Sequence, residues 1–177
     1  MSGLRRFTPH VSGILLARFE AIEVDLLRLA TSQLIDMLDA GAADPVLAGS
    51  DGVFVRLLPD AYRDDDEAAA EFRRFTAPGL LERKEHNAQI VLDTLGTERD
   101  ETETDDEEHQ PVTISLDPNA VQAWLRSLTD LRLTLADRLQ VSADGVVHLE
   151  GEDAPFLREL YDWLGMLQEE LVYAIDV

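Results

Sequence analysis

Asp117-Pro118-Asn119-Ala120-Val121-Gln122-Ala123-Trp124-Leu125-Arg126-Ser127-Leu128-Thr129-Asp130-Leu131-Arg132-Leu133 is the stretch that decides the fold class. Aspartate followed by proline marks a helix start. The carboxylate can accept from a free first-turn amide, and proline's fixed φ and missing N–H cost nothing in that turn. Beyond it, Val121, Trp124, Leu125, Leu128, Leu131, Leu135 and Leu139 recur at spacings of three and four, which predicts one helix from Pro118 to about Gln140. A stripe of that length is stable only when other helices cover it.

Working outward, the covering helices are in the chain. Asp153 and Pro155 open a last helix whose stripe is Phe156, Leu160, Trp163, Leu164, Leu167, Leu171 and Ala174. Upstream, Phe19 to about Ala40 is helical in pattern, with Ile22, Leu26, Leu29, Ala30, Met37 and Leu38 at helical spacing and Gly41 as the stop. Asp65 or Asp66 caps a helix carrying Ala68 to Phe75, and a further helix is predicted from Pro78 to Leu95, closed by Gly96. Leu4–Phe7 and Gly13–Ala17 read as a small hairpin, which the alternating Val112–Leu116 is placed to join. Val53–Leu58 is a brief apolar piece, and Val146–Leu149 a short strand. The expected architecture is mainly α: a bundle of four to five helices with a small N-terminal β-hairpin and accessory strands. It forms a single domain over 1–177, interrupted by a flexible acidic linker at 97–110. Glu98 to Glu108 holds eight acids against one arginine and has nothing apolar to bury.

Charge narrows the function classes. The chain of 177 residues carries a formal net charge of −21, with Lys84 as the one lysine beside fourteen arginines. Such a surface disfavours nucleic acid and anionic membranes, both of which are held through cationic side chains. Basic partners are the favoured company. The absence of cysteine removes thiolate metal sites, cysteine nucleophiles and thiol redox sensing. No stretch reads as a membrane span or a secretion signal, so the expected location is cytoplasmic.

The residues that carry chemistry elsewhere are sparse. His10, His86, His109 and His148 include no pair three or four apart, so no helical metal pair forms. Asp60, Asp64, Asp65, Asp66 and Glu67 lack the alternate spacing and central glycine of a calcium loop. No serine elbow, phosphate loop or dinucleotide fingerprint is present. The expectation is therefore no catalytic residue, no cofactor and no metal site. Arg132 stands out because helical geometry places it among Leu128 and Leu135, where an unpaired charge would be costly. An internal ion pair with Glu23 is the expected solution. Arg126 and Asp130, four apart, are expected as an exposed pair on the opposite side. Tyr62, Arg63, Arg73, Arg74, Arg126 and Asp130 are the expected partner-binding surface, and Leu133 has no assigned neighbour.

Three ordered blocks carry a family resemblance. Leu57-Leu58-Pro59-Asp60-Ala61-Tyr62-Arg63-Asp64-Asp65 with Glu71-Phe72-Arg73-Arg74 is the first. Trp124 to Leu133 is the second, and Tyr161-Asp162-Trp163-Leu164 with Leu167-Gln168-Glu169 is the third. Together they resemble a family of small actinobacterial proteins catalogued as a domain of unknown function, some of which carry the name AosR, for an oxidative-stress transcriptional regulator. The resemblance implies a non-catalytic regulator or adaptor that binds protein, such as a sigma factor. The alternative is a structural scaffold, a homodimer with one bundle face buried. Redox sensing in such a regulator would use cysteine pairs, and this chain has none.

Overall fold

The computed structural model describes residues 5–44, 52–58, 64–96 and 110–176. The expected linker therefore lies outside the described residues except for Gln110. The elements are β1 (Phe7–Pro9), a 3-10 turn (Val11–Gly13), β2 (Leu15–Phe19), α1 (Ala21–Ala43), α2 (Gly52–Leu57), α3 (Asp66–Leu95), β3 (Val112–Leu116), α4 (Pro118–Arg138) and α5 (Ala154–Ile175).

The fold is mainly helical with a small antiparallel sheet, as the patterning predicts. The sheet has the order β1-β2-β3, with Phe7 opposite Ala17, Leu15 opposite Leu116 and Phe19 opposite Val112. The hairpin pairs slightly later in the chain than expected, because the turn consumes Val11 to Gly13 and holds Ser12 and Gly13 at positive φ. Alternation puts Leu15, Ala17, Phe19, Ile114 and Leu116 on one buried face. That face meets α4 through Phe19, whose ring stacks on Trp124 at 5.7 Å, while Phe7 packs edge-on against Phe19.

Helix α4 is the centre. The Asp117 side chain accepts from the Ala120 amide at 2.7 Å, and Pro118 occupies the first turn. Ala120, Val121, Trp124, Leu128, Leu131 and Leu135 are buried in the same core as residues of every other helix. Trp124 Nε1 donates to Thr94 Oγ1 on α3, so its polar edge is satisfied in the interior. The α5 stripe is buried at Leu160, Leu164, Leu167, Leu171 and Ala174, but Phe156 at its start is exposed.

Three expectations are corrected. First, α3 is one helix of 30 residues that runs through Pro78. Proline deletes one amide bond, and burial of Ala77 and Leu81 on either side of that point anchors the helix across it. Second, the buried face of α1 is Val24, Leu27, Thr31, Leu34 and Leu38, whereas Ile22 and Leu29 are exposed. The helix carries two apolar rows, and packing against α3 selects the one that periodicity does not single out. Third, Gly41 does not stop α1. It is buried within the helix, and the Phe54 ring of α2 fills the space where a Cβ would stand. Val53–Leu58 is thus mainly a short helix that drives Phe54 under α1, and Val146–Leu149 contributes a single bridge, Val141 to Val147.

Gly41→Ala gains intrinsic helix propensity but forces the Phe54 ring to move. Overpacking is expected to win by about 1–3 kcal/mol of lost stability, read by chemical denaturation. A variant as stable as the parent would show that Phe54 has room to yield.

Candidate functional site

Arg6, just ahead of β1, joins the first and last helices. Its Nη1 and Nη2 donate to the two carboxylate oxygens of Glu23 at 2.8 and 3.1 Å, and its Nε lies 3.2 Å from Glu170 Oε2. The guanidinium also sits over the Phe19 ring, 5.1 Å from its centroid. Burial works against the charge on Arg6, yet the hydrogen bonds and charges of Glu23 and Glu170 outweigh it and raise its pKa. Burial likewise works against Glu23 ionisation, but bonds from Arg6 and the Glu20 amide, with the arginine charge, hold its carboxyl below the usual range.

The N-terminal turn of α1 and the C-terminal part of α5 are thereby clamped together, so the two helices run past each other in opposite senses. Away from the clamp, a groove of 310 Å³ lies between them, with α4 as its floor. Leu29, Ala30 and Met37 form the α1 wall, Phe156, Leu157 and Leu160 the α5 wall, and Leu131 and Leu135 the floor. Arg138 is the charged residue among the lining side chains. Leu29 is 58% and Phe156 56% exposed, so the cleft presents apolar surface on both walls.

The structure does not bring Arg132 and Glu23 together. Glu23 is taken by Arg6, while Arg132 donates to Gln168 Oε1 at 3.2 Å and stacks over Tyr161 at 4.9 Å. Gly165 on α5 makes that position available, since a Cβ there would press on the guanidinium. Leu133, left without a neighbour in the sequence, packs against the core.

Arg126 and Asp130 are not an exposed pair. Arg126 is exposed, but Asp130 is buried and accepts from Lys84 Nζ of α3 at 2.7 Å. Burial pushes the Asp130 carboxyl up, and Lys84 offsets only part of that shift. Among the other expected partner-binding residues, Tyr62 and Arg63 lie outside the described residues. Arg73 is in α3, and Arg74 is exposed on the same helix. Asp130 has no surface to offer, so it drops out of that set. The groove was signalled instead by Leu26, Leu29, Ala30 and Met37, the second apolar row of α1.

Among the described residues, no group of three or more histidines or acids is arranged to hold a metal ion. No described helix is long and apolar enough to cross a membrane. The family described as "Domain of unknown function (DUF2017)" matches residues 4–175. The chain belongs to that family. A Mycobacterium tuberculosis (strain H37Rv) protein named "Oxidative stress regulator AosR" is 32% identical over 139 residues, covering 68% of this chain and 56% of the relative. The Mycobacterium bovis protein of that name gives the same figures. A Mycobacterium leprae protein, given the AosR name provisionally, is 28% identical over 190 residues, covering 97% of this chain and 76% of its own length. The chain thus spans just over half the length of the first two relatives. No solved structure matches it.

Glu23→Gln should cost about 1–3 kcal/mol at neutral pH. A carboxyl depressed in the folded state contributes stability above its unfolded pKa, about 4.3, and loses it as pH falls through the folded value. The gap between parent and variant should therefore close on acidification, as thermal melts at pH 7 and pH 3 would show; a constant gap would refute the clamp.

Lys84→Ala strands a buried carboxylate and should cost about 3–5 kcal/mol, whereas Lys84→Met with Asp130→Leu should be near neutral. Denaturant titration of the single and double variants is the check. Asp130 also works oppositely to Glu23. With its pKa raised in the folded state, its contribution is greatest below the unfolded value and is lost as pH rises through the folded one.

Proposed function

We propose that this chain is a non-catalytic regulatory protein of a stress response that acts through protein–protein contact, with the groove between α1 and α5 as its contact surface. The proposed partner is a component of the transcription machinery, such as a sigma factor. The observation that carries the reading is the groove itself. Two helices clamped at one end by Arg6 leave Leu29 and Phe156 exposed on either side of an apolar cleft. A helix-in-groove contact uses such a surface. The names of the mycobacterial relatives support the regulatory part. A thiol switch is not part of the proposal, because the chain carries no cysteine. The basic partners favoured by its charge argue for contact with protein rather than DNA.

Leu29→Asp and Phe156→Asp test it. Both positions are exposed, so the variants should melt within a few degrees of the parent. A partner captured from native cytoplasm by the parent should be lost by both. Retention of every captured partner by both variants would remove the groove from the function. The homodimeric scaffold is separated by light scattering: twice the monomer mass in the parent, halved in the variants, would favour it.

A further inference from the structure

We propose that the groove receives a cationic amphipathic helix of the partner protein, its apolar row seated between Leu29 and Phe156 and its basic flanks against acids bordering α1 and α5. This deepens the protein-contact reading and rests on it. The volume of 310 Å³ is at the small end for a binding pocket, so it takes a row of side chains while the helix that bears them lies above. An incoming helix would present anchors about one turn apart, matching the four-residue spacing of Leu29, Gln33 and Met37 along the α1 wall.

Charge identifies the occupant. Advancing about 100° per residue puts Asp25 and Asp36 together along one edge of the Leu26, Leu29, Gln33 and Met37 row, and both are exposed. On α5, exposed Glu159 flanks Phe156 on the side away from Leu157. Asp25 already reaches Arg28 at 3.3 Å, whereas Asp36 and Glu159 make no ion pair among the described residues. The borders are therefore acidic and the middle apolar, the complement of a helix with leucine-like anchors and lysine or arginine beside them. Arg138 at the end of α4 gives the groove one cationic end, which suits the carbonyl-rich C-terminus of the incoming helix and so sets its direction. A second copy of this chain is the poorer occupant, since it would bring one net charge of −21 against another and acid against acid along both borders.

The test uses the full chain and three labelled peptides of roughly 18 residues, about five helical turns. One is an amphipathic leucine–lysine helix, one its leucine–glutamate counterpart, and one a scrambled leucine–lysine sequence. Binding is read by fluorescence anisotropy at about 0.15 M salt. The amphipathic lysine peptide should bind the parent at least about tenfold more tightly than either other peptide. Leu29→Ser and Phe156→Ser, which leave net charge unchanged, should each weaken it about tenfold, and Asp36→Asn with Glu159→Gln should weaken it severalfold. Equal binding of the scrambled peptide, or equal binding by parent and serine variants, would reduce the effect to bulk charge and overturn the proposal. Binding of the glutamate peptide, or a parent dimer dissociated by Leu29→Ser, would overturn it too. If a native partner is lost with Leu29→Asp and Phe156→Asp while the lysine peptide does not bind, the protein-contact reading stands and the cationic helix falls.

Discussion

The guanidinium of Arg6 faces two carboxylates from opposite ends of the chain while its plane rests over Phe19. A planar fork of five donors suits that position as an ammonium would not, because it meets Glu23 with two parallel bonds and still has Nε turned toward Glu170. The sheet, α1 and α5 are thereby joined at one end of the helices. The clamp closes one end of the cleft between them, and nothing comparable is found at the other end among the described residues. The shape of the groove follows from that asymmetry.

Scarcity of cations gives the clamp a second consequence. The chain has fifteen lysines and arginines for thirty-six acids. Several of those cations are spent inside. Arg28 donates to the Leu95 and Gly96 carbonyls that end α3, Arg56 reaches Val141 O and Asp137, Lys84 holds Asp130, and Arg132 lies on Tyr161 and Gln168. Lys84 and Arg28 satisfy buried oxygens that would be costly to leave unpaired, and Arg56 and Arg132 hold partly buried ones. The surface is left with proportionately more acid, so internal stability and external charge are two results of the same allocation.

The cleft also explains why α1 reads ambiguously. A helix with one apolar row hides it; α1 has two, set apart around its axis. One packs on α3 and the other lines the groove. The central helix α4 has no such ambiguity, being covered on most of its circumference, and its buried Trp124 links α3 to the sheet through Thr94 and Phe19.

Local chemistry in the sequence determined the helical class, the caps at Asp65 and Asp117, the buried row of α5 from Leu160 to Ala174 and the addition of Val112–Leu116 to the hairpin, because capping and periodicity act within a few residues. Family membership was legible for the same reason, in short ordered blocks. Tertiary structure alone decided which row of α1 is buried, why Gly41 sits within a helix, and which cation meets which acid. Periodicity gives a face but not its neighbour, and a side chain chooses its partner by distance in space: Arg132 found Gly165 and Tyr161 within reach, and Glu23 was already held by Arg6.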